Sequence, residues 1–245
     1  MARDEVVTVQ NWTERRPPAL PRWNRASPAG LLACFTGKMA PVPLKDQIKN
    51  YGKKLVERRP ARSELDAFVR QRKPMAIVFN DDGIVPNNPK FPLLVYRGAV
   101  ALGTRQFDPA TIIDTLFESH GWGRSWRDTV YDFVHYHSQI HEVMGVARGT
   151  ARIECGGVKG RVLTVNAGDV IVLPAGTGHR LIDSSRNFQV VGAYPKDGTY
   201  DECTDSRDRP DAIKRIARVG RPAQDPVYGT RGPLAKLWRR IGGPG

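Results

Sequence analysis

The hydrophobic residues between positions 131 and 193 fall in short runs, separated by turns that contain glycine. Runs of this kind are typical of β-strands, and many of them at even spacing predict an antiparallel sandwich or barrel. The predicted strands cover residues 131–137, 142–147, 151–155, 161–165, 169–173, 179–182 and 189–193. The block occurs once in the chain, so we expect a single barrel.

Two more strands and one helix are predicted ahead of this block. Residues 76–79 and 93–96 are apolar runs next to turn-forming residues, as expected for strands. Asp108 and Pro109 suit the N-cap and first turn of a helix over about 108–120. The predicted helix has one apolar face, formed by Ile112, Ile113, Leu116 and Phe117.

Residues 1–73 differ from the barrel in being rich in proline and arginine, and we expect this extension to be partly disordered. Two helical patterns interrupt it. The first is an apolar stripe at helical spacing, formed by Leu44, Ile48, Tyr51 and Leu55. The second is a short helix for which Ser63 is the predicted N-cap.

The predicted barrel occupies residues 74–200, and residues 201–245 form a C-terminal helix and tail packed on it. The helix is predicted over 210–219, with Ile213 and Ile216 turned inward. Trp122 and Trp126, just after the embedded helix, are interpreted as packing anchors.

The net charge of +13 raises the question of nucleic acid as a partner. Residues 1–73 hold 16 Lys and Arg against 7 Asp and Glu, so most of the excess belongs to the extension. That segment has neither a Cys/His finger nor alternating aromatic and basic residues. A solvated basic tail is the simpler interpretation, and nucleic acid is not an expected partner.

Three cysteines lie far apart at Cys34, Cys155 and Cys203, without a CxxC pair or a disulfide framework. This pattern indicates a reducing compartment, so we expect a cytoplasmic protein. No apolar run approaches the ~18 residues of a membrane span, and the N-terminus lacks the pattern of a secretory signal.

Four of the five histidines lie in two short blocks, which indicates a metal site, since imidazole is the commonest metal ligand. On a strand His135 and His137 share one face, together with Tyr131 and Phe133. A turn then resets the parity, so that His141 or Glu142 can return to the same ion. His179 follows a Pro-Gly turn in the second block.

These two blocks resemble the two motifs of the cupin superfamily. The first reads HYHSQIHEVMGVARG and the second GDVIVLPAGTGHRLID. Thr129 stands where the family has its first glycine, and Asp183 replaces the last asparagine. Segments from Phe79 to Trp238, such as FNDDGIVPNNP, further resemble the YjlB-like cupins.

The resemblance implies a mainly β fold, the double-stranded β-helix or jelly roll, with short flanking helices and an irregular N-terminal extension. It also implies one divalent metal ion, Fe, Mn, Ni, Co or Zn, held by His135, His137, Glu142 and His179. His141 is the rival of Glu142 for the third position and otherwise a candidate for acid/base or supporting work. A homodimer is expected by analogy with other single-domain cupins.

Two functions are compatible with such a site. In the first, the chain is an enzyme of the oxidoreductase, dioxygenase or isomerase type that acts on a small-molecule substrate at the metal. Tyr131, Phe133 and Met144 are then the candidate pocket walls. In the second, the barrel is a non-catalytic module that holds a metal or small ligand for sensing or scaffolding.

Overall fold

The structure, a computed structural model, describes residues 58–239. In this part of the chain nine strands form two antiparallel sheets. The strands are β1 (Met75–Ile77), β2 (Leu93–Tyr96), β3 (Trp122–Asp128), β4 (Glu142–Arg148), β5 (Thr150–Cys155), β6 (Arg161–Asn166), β7 (Val170–Leu173), β8 (His179–Ser184) and β9 (Gln189–Pro195).

The larger sheet has the order β1-β2-β7-β4-β9-β3 and the smaller one the order β6-β5-β8. Strands that are distant in sequence, such as β4 and β9, therefore lie side by side. The two sheets enclose an apolar cluster that includes Val95, Met144, Ile153 and Ile171. This confirms the predicted double-stranded β-helix.

The outer face of the larger sheet is also covered. Helix α1 (Pro109–Ser119) packs there against β3, β4 and β9. Asp108 caps it by accepting hydrogen bonds from the main-chain N–H groups of Ala110 and Thr111, as predicted. Its apolar residues Ile112, Ile113, Leu116 and Phe117 are all buried, so the predicted helix and its face are confirmed.

The described part of the N-terminal extension packs on the barrel. A 3₁₀ helix spans Arg62–Phe68, and Ala61 rather than the predicted Ser63 stands at its N-cap. Phe68 contacts Phe107 edge to face, and Val69 forms a β-bridge with Val100. The stripe predicted between Leu44 and Leu55 lies outside the described residues.

The C-terminal segment returns to the barrel through α2 (Arg209–Ile216) and α3 (Leu234–Leu237). Ile216 is buried as predicted, whereas Ile213 is 40% exposed, so the inward orientation predicted for it is wrong. Ala212 takes its place on the buried face. Trp238 stacks on Phe91. No helix within residues 58–239 is long and apolar enough to cross a membrane.

One predicted strand is absent from the structure, and one observed strand is not predicted by the sequence. Residues 131–137 form no regular strand, and only His135 and Tyr136 make isolated bridges. The hydrophobic pattern does not predict β3, because this strand is polar and its register shifts between Gly123 and Trp126, where Arg124 has a positive φ of 52°. An irregular edge strand of this kind lacks the alternation that identifies strands in a sequence. Trp122 is fully buried, as expected of a packing anchor.

The ring of Trp126 covers Gly192 on β9, where an added methyl group would lie 2.0 Å from Cε2 of the indole. We expect Gly192→Ala to lower the free energy of unfolding by about 1–3 kcal/mol, since the ring has to move. Gly103→Ala is the matched control, because a methyl group there meets nothing within 4 Å. Urea denaturation measures both variants. Equal stability of the two would contradict this packing.

Candidate metal centre

His135 and His179 are brought together by the main chain. Each donates its N–H to the carbonyl of the other, at 3.2 and 3.0 Å, in an antiparallel bridge between the first motif and the start of β8. Directly paired residues point to the same side of a sheet. Their ring centroids are accordingly 4.1 Å apart.

His137 and Glu142 approach the same point from the other side. The carbonyl of His137 accepts a 2.7 Å hydrogen bond from the N–H of Gly176 in the turn before β8. Glu142 begins β4, where it pairs with Leu173. Its Oε2 lies 3.3 Å from Nε2 of His137 and 3.3 Å from Nε2 of His179. One ring nitrogen from each of His135, His137 and His179 lies within 4.8 Å of the other two.

The second ring nitrogen of each histidine faces a main-chain carbonyl. Nδ1 of His135 is 3.3 Å from the oxygen of Phe133, Nδ1 of His179 is 3.2 Å from that of Thr177, and Nδ1 of His137 is 2.5 Å from that of Asp201. A carbonyl only accepts, so Nδ1 carries the proton in each ring. A neutral ring of this tautomer has an unprotonated Nε2, which is the arrangement of metal-binding histidines.

Glu142 is buried, and its Oε2 makes no hydrogen bond within residues 58–239. Burial by itself would raise the pKa of this carboxyl, but His137 and His179 beside it lower that pKa well below its usual range. A buried carboxylate without a partner is costly. The group therefore requires a positive charge at the point where the imidazoles meet.

The pKa values of two neighbouring imidazoles are shifted in opposite directions. Burial, reinforced by the other two rings, lowers the pKa of His135 to about 3. Burial also opposes a charge on His137, but the carboxylate of Glu142 outweighs it and raises the pKa of His137. A proton on His137 thus balances the negative charge of Glu142 when no metal ion is bound. Three nitrogen donors and one carboxylate fit a divalent transition metal.

His141 lies outside the group formed by His135, His137 and His179, and its hydrogen bonds fit the supporting role rather than that of a ligand or an acid/base group. Its Nδ1 accepts a 2.9 Å hydrogen bond from the N–H of Ala175, and its Nε2 donates to the carbonyl of Gly220, also at 2.9 Å. Neither ring nitrogen of His141 is therefore left to bind a metal ion or to exchange a proton with a substrate. Burial lowers the pKa of His141 to about 4. It is a packed histidine between Phe91 and Trp238.

The three predicted pocket residues separate into two groups. Tyr131 and Phe133 stack on each other with centroids 4.8 Å apart, and both contact the ring of His135. They are exposed and lie beside the centre. Met144 is fully buried in the apolar cluster between the sheets. It contributes to the barrel interior rather than to an exposed wall.

Three further residues, which the sequence pattern does not identify, lie near the centre. The rings of Tyr194 and Tyr200 pack against His137, with centroids 5.7 and 5.0 Å away. Asp201 supplies the carbonyl that orients His137, and its carboxylate accepts hydrogen bonds from the main chain of Ser138 and Gln139. These residues lie at and just after the end of β9, about sixty positions from the first motif, and local pattern gives no indication of that contact.

Known proteins resemble this chain to different degrees. No family model matches the chain. A solved protein with a double-stranded β-helix domain from Klebsiella pneumoniae is 16% identical, with a TM-score of 0.28, and the match covers 60% of this chain and 99% of that one. A Bacillus subtilis oxalate decarboxylase is also 16% identical, with a TM-score of 0.27 over 56% of this chain. The match spans only 29% of that enzyme.

The fold and the three inward-facing histidines define the chain as a cupin. It is 39% identical over 169 residues to the uncharacterized protein YjlB of Bacillus subtilis, a match that covers 69% of this chain and 98% of YjlB. The chain therefore belongs to the YjlB family.

The packed state of His141 has a consequence for stability. Its pKa is about 4 in the folded chain against an ordinary value of 6.5, so between these pH values the unfolded state binds the proton more readily. The free energy of unfolding therefore falls as the pH is lowered from 6.5 towards 4, and His141 contributes up to roughly 3 kcal/mol of that fall.

His141→Gln keeps a donor and an acceptor but does not titrate, so we expect a flatter pH profile for this variant. Urea denaturation of the metal-free proteins at stepped pH measures the difference. His135, whose pKa is also lowered, contributes equally in both proteins. An equally steep profile in the variant would show that His141 is not a buried neutral group.

Proposed function

We propose that this protein is a single-domain cupin that holds one divalent metal ion with His135, His137, Glu142 and His179, and that it acts on a small molecule. The observation that supports this most directly is the unpartnered Oε2 of Glu142, 3.3 Å from Nε2 of both His137 and His179. The three Nδ1 contacts with carbonyls support it further, since they leave Nε2 of each ring free to ligate.

The donor set is compatible with Fe(II), Mn(II), Ni(II), Co(II) or Zn(II), and a protein in a cell selects among them by geometry and metal supply rather than by affinity alone. A metal with open positions supplies a Lewis acid for a carbonyl or enolate, or a site for O2. Oxidation by a dioxygenase-type reaction, or isomerisation, is the class of chemistry that this group offers.

The polar groups beside the proposed metal include the hydroxyls of two tyrosines, Tyr194 and Tyr200, and not His141. Burial, followed by the charge of Glu142, raises the pKa of Tyr194 above its usual range. Burial and Glu202 raise that of Tyr200 likewise. Both hydroxyls stay protonated at neutral pH. They are therefore not suited to act as a general base. The hydroxyl of Tyr200 donates to Glu202 and that of Tyr194 accepts from the indole N–H of Trp126, so both are oriented polar groups beside the centre.

We expect His135→Ala and His179→Ala to lose the metal, because each variant removes a nitrogen donor from a buried site. His141→Gln is the matched control and keeps the metal, since its partners are Ala175 and Gly220. Metal analysis by mass spectrometry of the full chain, purified from its own host, gives the stoichiometry. Metal retained in both alanine variants would refute the ligand set.

Catalysis is tested separately from metal binding. The full chain is reconstituted anaerobically with Fe(II), and in parallel samples with Mn(II), Ni(II), Co(II) or Zn(II), and is then mixed with O2 and a panel of phenols, diketones and aldehydes. We expect O2 uptake with at least one of these classes, lost in His179→Ala. Isomerisation of the aldehydes and diketones is followed by NMR in the same samples. A chain that binds metal but turns over nothing with any of the five metals is the non-catalytic module.

A further inference from the structure

The stacked pair Tyr131 and Phe133 stands beside the centre and is exposed to solvent. We propose that it is the platform on which the site takes a flat aromatic molecule that carries no anionic group. This proposal rests on the proposed function, because it names the substrate class of that same metal site.

The exposure of this pair distinguishes it from the other aromatic residues. Tyr131 is 50% and Phe133 is 45% exposed, and within residues 58–239 they are the two aromatic members of the exposed large hydrophobic residues. They also lie nearly parallel, at 15°. Aromatic pairs prefer offset stacking, and an open face of such a stack is available to a third ring.

The position of the pair connects it to the metal ligands. Its centroids lie 5.1 and 5.7 Å from the ring of His135, which in turn lies 4.1 Å from that of His179. A ring stacked on the pair therefore lies next to a proposed ligand.

Charge around the pair disfavours an anion. The carboxylate of Glu202 lies close to the centre, because its partner Tyr200 packs against the ring of His137. Glu202 is held in place by a 2.9 Å hydrogen bond from the hydroxyl of Tyr200. The faces of aromatic rings add to this negative environment, because their quadrupole repels anions.

Three arginines of the described segments around the centre are engaged with other groups. Arg124 donates to the carbonyls of Pro195 and Gly198. Arg180 is paired with Glu154 on β5. Arg215 donates to the hydroxyl of Ser138. These three guanidinium groups, all in the described part of the chain, are held by other partners, so they offer a carboxylate on the substrate no fixed counter-charge at the aromatic pair.

The test compares two probes of similar size, p-cresol and p-hydroxybenzoate, which differ by a methyl group in place of a carboxylate. Both are titrated by calorimetry into the Zn(II)-loaded full chain, whose metal content is measured in the same sample. We expect p-cresol to bind at least about tenfold more tightly than p-hydroxybenzoate. Cyclohexanol, which has a hydroxyl but no aromatic ring, is expected to bind more weakly than p-cresol.

Two variants assign the effects to residues. Phe133→Leu removes the ring but keeps an apolar side chain, and we expect p-cresol affinity to fall about three- to tenfold with unchanged zinc content. Val162→Ala, also 45% exposed but on the smaller sheet, is its control. Glu202→Gln should raise the affinity for p-hydroxybenzoate about threefold. Asp183→Asn, an exposed carboxylate paired with Arg152, should leave it unchanged.

The outcomes separate this proposal from the proposed function. Three results would overturn the aromatic platform in a sample that contains zinc. These are tighter binding of p-hydroxybenzoate than of p-cresol, no binding of p-cresol, and unchanged p-cresol binding in Phe133→Leu. If the loaded chain contains no zinc, the proposed metal site is wrong. The probe titrations on that sample still decide whether the aromatic pair binds the ring of p-cresol.

Discussion

A buried carboxylate oxygen, Oε2 of Glu142, has no hydrogen-bond partner within residues 58–239 and determines the organisation of the centre. Glu142 lies inside the barrel among three imidazoles, and the carbonyls of Phe133, Thr177 and Asp201 hold the Nδ1 proton of each ring. The rings consequently present unprotonated nitrogens, not donors, to the carboxylate. Either a metal ion or a proton on one of the imidazoles can balance its charge. In the metal-free chain the carboxylate favours the proton, and it therefore raises the pKa of His137.

The support of this centre comes from chain segments that are distant in sequence. Asp201 binds the turn after His137 through its carboxylate and orients the ring through its carbonyl, and Arg215 on α2 donates to Ser138 in the same turn. Ile216 covers Gly176, whose φ of 92° shapes the turn ahead of His179. The C-terminal segment is therefore a structural part of the site and not an independent tail.

Much of the fold could be predicted because the hydrophobic pattern is local. Strands β2 and β4–β9 and helix α1 match their predicted positions to within two residues at most ends, and Asp108 caps the helix as expected. The pattern failed where main-chain geometry is irregular. Strand β3 has a bulge and few apolar residues, while the segment before His137 is held by isolated bridges and side-chain contacts instead of a ladder.

The sequence by itself determined the types of donor and their approximate grouping, because two histidines two residues apart, a nearby glutamate and a histidine after a Pro-Gly turn are local features. It left His141 and Glu142 as alternatives. The tertiary structure places the two side chains differently, since Oε2 of Glu142 faces two of the imidazoles, whereas both nitrogens of His141 are occupied by Ala175 and Gly220, residues 34 and 79 positions away. Hydrogen-bond partners across such distances depend on how the sheets and the C-terminal segment pack, which no local spacing encodes.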